Sequence, residues 1–220
     1  MRTITILLLS VVVLLFAACT ASAPTRGSLY PKMYDEKPVS LLVMPPINNT
    51  NHVEAKELLY TSISHPLIEA GYYVVSPHLA LEMLKAESGY DAEMFMQSDA
   101  AVFGRVFGVD AVIFSVIDEW SKRGFGIDTK ITYMVKSTHT NEVLFERTCD
   151  LYLSLDNSSS NSLLALAVAA INTAVTDHIE AARKANAYIF SDLPYGKYHP
   201  AFGTDRDRTA NTQNISVTTH

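Results

Sequence analysis

Two stretches in the middle of the chain alternate between apolar and polar positions. Ile127, Thr129, Ile131, Tyr133 and Val135 alternate with Asp128, Lys130, Thr132, Met134 and Lys136. Val143, Phe145, Cys149, Leu151 and Leu153 share one parity, interrupted by Arg147, among largely polar neighbours. Successive side chains of a strand point to opposite faces, so each stretch predicts a strand with one face buried and one wet. The link His139-Thr140-Asn141-Glu142 is short enough for a hairpin, and Ser121 to Gly126 forms another turn after a strand running from Asp110 to about Trp120. Earlier apolar runs are short: Val39 to Met44, closed by Pro45-Pro46, and Tyr72 to Val75, followed by Pro77. Such runs bounded by turn signals predict buried strands.

Helical spacing separates these strands. From Val53 to about Ala70, Leu58, Leu59, Ser62 and Ile63 share a side, Gly71 is the stop, and Pro66 is expected to kink or split the helix. His78 to Ala86 and Ala92 to Gln97 are helical or irregular, and Asp99 caps a helix running to Gly108. A long helix spans Leu163 to about Lys184 with Leu164, Val168, Ile171, Val175 and Ile179 as its buried stripe. The order β-α-β-α-α-β-β-β-α predicts an α+β fold: a single mixed β-sheet of about five strands, parallel early and antiparallel late, with helices packed on one face. The domain is expected over residues 38–203, preceded by a tether over 19–37 and followed by a disordered tail over 204–220.

The amino terminus has a different pattern. Arg2 precedes the apolar run Ile4 to Phe16 and the string Leu15-Phe-Ala-Ala-Cys19-Thr20. A charged start, about 7–15 apolar residues and small residues at the cleavage point describe a secretory signal; a spanning helix needs about 20 apolar residues. The string resembles a bacterial lipoprotein box, although Phe16 stands where Leu is commonest. The resemblance implies a signal peptide over residues 1–18 and lipidation of Cys19, with palmitate among the attached chains. Thr20, rather than Asp, favours the outer membrane by the same resemblance. The competing reading is an ordinary signal peptide with an incidental cysteine.

Composition narrows the partners. The net charge of −6, from 17 basic and 23 acidic residues, becomes −7 once Arg2 is removed. An acidic balance argues against nucleic acid, where binding rests on neutralising phosphates, and against broad contact with anionic headgroups. With Cys19 consumed, Cys149 is the one cysteine left, so no intramolecular disulfide is expected. Its place on the apolar parity makes it a small buried hydrophobe rather than a reactive thiol.

Candidate chemistry is sparse. There is no GxSxG, P-loop, HExxH or CxxC. His52, His65 and His78 lie thirteen apart, matching neither one helix face nor a usual metal pattern. Glu54 and Glu57 fit a solvated helix face. Asp118, Glu119 and Trp120 form a strand end or a pocket rim, and with His178 they are the places to look for a reaction centre. The loop Asn48 to Asn51 follows the first strand, where α/β folds place ligands, but it lacks phosphate-cradling glycines and is expected to cap the next helix. No catalytic residue, cofactor or metal site is expected.

The strings Val43-Met-Pro-Pro-Ile-Asn-Asn-Thr50, Glu69-Ala-Gly-Tyr-Tyr-Val-Val-Ser-Pro77 and Phe107-Gly-Val-Asp-Ala-Val-Ile113, with Trp120 beyond, resemble a family of bacterial outer-membrane lipoproteins of unassigned activity. That family is related to a meningococcal vaccine-candidate lipoprotein, and the resemblance spans roughly residues 38–200. More distantly the layout is similar to the amino-terminal domain of TolB and to curli-secretion-channel lipoproteins. The resemblance implies an α+β, TolB amino-terminal-like fold, homodimers, and partnership with other envelope lipoproteins, including a curli-channel-like one. The expected function is a lipid-anchored, periplasm-facing outer-membrane lipoprotein that binds proteins in an envelope assembly or export complex. The alternative is a lipoprotein that binds a small ligand or envelope component, such as lipid or a peptidoglycan fragment.

Overall fold

The apolar run Val39 to Met44 supplies a strand one place in from the edge of a mixed sheet. A computed structural model describes residues 23–86, 92–124, 126–154, 178–211 and 214–219. In chain order the elements are α1 (Arg26–Leu29), α2 (Pro31–Glu36), β1 (Ser40–Val43), β2 (Ile47–Asn48), α3 (Glu54–Ser62), α4 (Ser64–Glu69) and β3 (Tyr73–Val74). Then follow α5 (Pro77–Ala86), α6 (Ala92–Met96), α7 (Ala101–Phe107), β4 (Ala111–Arg123), β5 (Gly126–Ser137), β6 (Val143–Ser154), a helix over 178–190 (α8) and β7 (Asn214–Thr219).

The strand order is β3-β1-β4-β5-β6-β7, with β2 also on β4. β1 pairs in parallel with β3 and β4, β4-β5-β6 is an antiparallel meander, and β7 joins β6 in parallel. The mixed α+β sheet is therefore as expected, but it has seven strands. β2 is one addition: Pro45 and Pro46 have no N–H to give, so the ladder to β4 lapses there and resumes with Ile47 opposite Val116.

Helices cover both faces of the parallel end, not one. Leu41 and Val43 join a core with Ala55, Leu59, Ile63 and Leu67 of the α3–α4 region, and with Ala181, Ala185 and Ile189 of α8. Their neighbours Leu42 and Met44 join a second core with Ala80, Leu84, Ala92 and Phe103 of α5 to α7. Parallel strands buried on both sides give continuous apolar runs, and that run was the signal. The later strands, one-sided as predicted, bury Ile127, Ile131, Tyr133, Phe145 and Leu151 in the first core.

The expected helix split falls at Ile63, and Pro66 sits in the first turn of α4, where a missing N–H costs nothing. Gly71 ends α4 at φ +89, and a side chain there would collide with the backbone of His199. That close approach lets Gly196 N–H bond Ala70 O at 2.8 Å and Tyr198 N–H bond Gly71 O at 3.0 Å. Helix α8 runs to Phe190, past the expected end at Lys184, with Ala181, Ala182, Ala185 and Ile189 buried and Ile179 half-buried beside them. The rest of the expected stripe lies outside the described residues.

Both ends of the domain differ from expectation. Residues 25–36, predicted as tether, form α1 and α2 on the first core, with Tyr30 and Met33 buried and the Tyr30 ring 4.5 Å from that of Phe145. Residues 205–211, predicted as disordered tail, pair with them: Gly27 N–H meets Arg206 O at 2.8 Å and Ala210 N–H meets Pro24 O at 2.8 Å. β7 adds a last strand beyond them.

Asp110 joins the starts of β1 and β4. Its Oδ2 accepts the amides of Val39 and Ser40, both at 2.9 Å, and the Ser40 hydroxyl at 3.0 Å. Burial pushes its carboxyl up, but these donors, with His139 beyond, hold it below its ordinary value of 3.8. The folded state binds this proton less readily than the unfolded chain. Its stabilisation is therefore present above pH 3.8 and lost as pH falls through the lower folded value. Asp110→Asn is expected to flatten the acid limb of stability against pH, measured by urea titration between neutrality and about pH 3.

Candidate functional site

The loop after β2 meets the far half of β4 and the start of α8. The Asn48 side chain ties the loop to itself, donating to His52 O at 2.8 Å and accepting from Thr50 N and Oγ1 at 3.1 and 2.7 Å. Helix α3 begins without a side-chain cap, so the loop stabilises its own turn rather than capping α3 as expected. Asn49 Nδ2 donates to Asp118 Oδ1 at 2.9 Å. Trp120 Nε1 donates to His178 Nδ1 at 2.9 Å, and the His52 ring lies 4.2 Å from that of His178. Indole N–H only donates, so Nδ1 of His178 is an acceptor and the neutral ring carries its proton on Nε2.

The fold thus brings together Asn48 to His52, Asp118, Trp120 and His178. Glu119 instead faces solvent beside Ser121. His65 pairs with Glu69 on the exposed surface of α4, and His78 is exposed on α5. Glu54 and Glu57 are exposed in the first turn of α3, where they complement the helix dipole. Among the described residues no three His, Cys, Asp or Glu side chains converge on a metal position. Trp120 and His178 are buried, Asp118 is held by Asn49, and the corner packs α8 against β4. Cys149 is buried and its thiol is pushed up to about 11 by desolvation, which suits the apolar role expected for it.

Sequence reading missed a pair of buried ion clamps. Arg147, 0% exposed, donates Nη1 to the carbonyls of Tyr188 and Ile189 at 3.1 and 2.6 Å, and Nη2 lies 3.4 Å from Asp192 Oδ2. Asp192 Oδ2 also accepts Asn211 N–H at 2.8 Å. Arg26 donates to Asp205 Oδ2 at 2.9 Å and to the carbonyls of Leu193 and Ser191 at 3.2 and 2.6 Å. One clamp closes the carboxyl end of α8, where orphan carbonyls favour a cation. The other ties α1 to residues 191–205.

Two of the hollows on the described surface exceed 500 Å³. One, about 650 Å³, runs between α3–α4 and α8 and is rimmed by His65, Glu69, Glu180 and Arg183. The other, about 540 Å³, is apolar and opens between α5, α6 and α7, with the exposed Met83 and Val106 at its mouth and the buried Leu84 and Phe103 of the second core at its floor. Around it Leu79 is 63% and Met94 67% exposed.

The mixed sheet and two-sided core define the class: an α+β domain. The family described as "Putative lipoprotein GNA1162-like" matches residues 29–192, and the chain belongs to it. The resemblance carried by the Val43–Thr50, Glu69–Pro77 and Phe107–Ile113 strings is thereby borne out. "Putative lipoprotein NMB1124/NMB1162" of Neisseria meningitidis serogroup B is 28% identical over 190 residues, covering 83% of this chain and 87% of that one. Among solved structures, lipoprotein GNA1162 from Neisseria meningitidis matches 63% of this chain and 99% of its own at TM-score 0.48 and 24% identity. A PelC dodecamer from Paraburkholderia phytofirmans matches 79% and 95% at TM-score 0.43 and 15% identity. The LpoB C-terminal domain from Salmonella enterica matches 56% and 93% at TM-score 0.37 and 21% identity. At TM-scores below 0.5, none of these three assigns an activity or a partner to this chain.

Proposed function

We propose that the chain is held by lipid on Cys19 to the periplasmic side of the outer membrane. There it binds proteins, including other envelope lipoproteins and copies of itself, within an assembly or export complex. The observation that carries this reading is the apolar outer side of α5 to α7. Met83 and Val106 are exposed and line an apolar groove, and Leu79, one turn before Met83 on α5, is exposed on the same helix face. Contiguous exposed apolar surface of this kind marks a contact surface. The alternative, a ligand-binding lipoprotein, asks for an enclosed apolar cavity under the helices. Among the described residues the apolar hollow opens to solvent between α5, α6 and α7, with Met83 and Val106 exposed at its mouth, which favours a protein partner.

A photo-crosslinking residue at Met83 or Val106, in intact envelopes, is expected to give discrete higher-mass adducts. The same residue at the exposed Glu57 is expected to give none. Recovery of uncrosslinked protein from all three positions, without partner or second copy, would count against the reading.

A further inference from the structure

We infer that the side of the domain where the chain arrives from Cys19 lies directly on the bilayer, reading lipid phosphate through two Arg–Tyr pairs. The inference deepens the anchor reading above and rests on it. The expected tether of residues 19–37 shrinks in the folded protein, because Pro24 to Gly27 are fixed. Pro24 O accepts Ala210 N–H at 2.8 Å, Thr25 bridges Thr209, and Arg26 N–H bonds Arg208 O at 2.9 Å. The Arg26 guanidinium is buried on Asp205, Leu193 and Ser191, so this segment cannot swing away without breaking a buried ion pair. Four residues, Thr20 to Ala23, separate Cys19 from Pro24. At about 3.6 Å per fully extended residue, they reach at most about 18 Å. A lipidated Cys19 therefore holds this edge of the domain within headgroup range.

The chemistry of that edge fits what lies there. Arg206 and Arg208 are exposed beside the arriving chain; Arg206 stacks over the Tyr34 ring at 5.4 Å and Arg208 over the Tyr195 ring at 5.5 Å. Tyr34, Tyr195 and the exposed Phe202 share one hollow with Lys37 at its rim. Aromatic rings with a polar tip favour the membrane interface, a role that falls to Tyr195 and not to Tyr34, whose hydroxyl is buried, and guanidinium matches phosphate with paired donors. Two local guanidiniums are compatible with an acidic chain that would be repelled by a broad electrostatic contact. The geometry also separates two surfaces. Tyr30 and Met33 of the arriving segment pack on one face of the sheet, whereas α5 to α7 pack on the other. An edge seated on lipid therefore does not use the apolar groove of α5 to α7, which stays available to a protein partner.

The test uses the lipidated mature chain in vesicles of phosphatidylethanolamine and phosphatidylglycerol doped with a headgroup-nitroxide lipid. A fluorophore on Thr209→Cys is expected to be quenched several-fold more than one on Met94→Cys. Equal quenching of the two, with the chain lipidated, overturns this inference alone. A free thiol at Cys19 by mass spectrometry overturns the anchor reading and this inference with it. A Gly-Ser insertion after Thr20 separates surface from tether length. The preference for Thr209 is expected to survive the insertion, and to be lost when Arg206→Glu and Arg208→Glu are added. Loss on insertion alone means that only the short tether held the edge there, and the phosphate-reading surface is overturned.

Discussion

Arg147→Ala is expected to destabilise the fold by about 3–5 kcal/mol, the range for breaking one partner of a buried ion pair. The substitution leaves two groups stranded. Asp192 keeps its bond to Asn211 N–H but loses its cation, and the Ile189 carbonyl loses its guanidinium donor, whereas Tyr188 O still accepts the Ser191 hydroxyl at 2.7 Å. No water can replace the guanidinium easily, since Arg147 is wholly buried among Tyr30, Cys149 and Tyr188. A domain of this size is stable by roughly 5–15 kcal/mol in total, so the loss would be visible as a large drop in urea midpoint. The double variant Arg147→Met with Asp192→Asn is expected to recover much of it, because both charges go and Asn can still accept from Asn211. A cost below about 1 kcal/mol for Arg147→Ala would mean that the clamp is not a buried charge pair in solution.

The same residue marks what could be read in advance. Strand parity placed Arg147 with Phe145, Cys149 and Leu151, on the side that is now the first core. Treated as an interruption, it broke the pattern; treated as a strand residue of that parity, it demanded a buried acceptor. Parity could not name Asp192 or the carboxyl end of α8, because those lie over forty residues away in the chain. Arg26 and Asp205 are the extreme case, 179 residues apart. A local window at residues 25–36 shows only isolated apolar side chains without a period, and the window at 205–209 shows only polar ones. Neither stretch is stable by itself, and each is ordered by the other. β7 was hidden for a related reason. Its Asn-Ile-Ser-Val-Thr-Thr run is β-branched, but its partner is the already formed edge of β6 and its neighbours are polar.

Elements whose burial is decided locally were legible. The β5 and β6 alternation, the hairpin between them and the Gly71 stop needed only near neighbours. The two-sided helix cover was also written in the chain, as an unbroken Leu41–Met44 run where a one-sided strand would alternate. The corner around Trp120 and His178 was legible as a set of residue types, but not as an arrangement. Only the fold shows that Trp120 spends its donor on His178 and Asn49 its donor on Asp118.

Cys19→Ala is expected to move the protein from the membrane fraction to the soluble fraction almost completely, or to leave unprocessed precursor. Each buried methylene contributes about 0.8 kcal/mol to membrane attachment, so even one acyl chain outweighs two surface arginines, and several chains make dissociation negligible. Arg206 and Arg208 align an anchored domain; they do not anchor one, since about 1 kcal/mol per basic residue near the surface cannot retain it. The domain itself is expected to keep its melting midpoint, because among the described residues the backbone contacts begin at Pro24 and Thr25, five residues beyond the substitution. Fatty-acid labelling, fractionation and thermal melting together check the three parts. Retention of Cys19→Ala in the membrane fraction without fatty-acid label would place the attachment elsewhere in the molecule. The exposed apolar side of α5 to α7 would then be the next surface to substitute, with Met83→Glu and Val106→Asp.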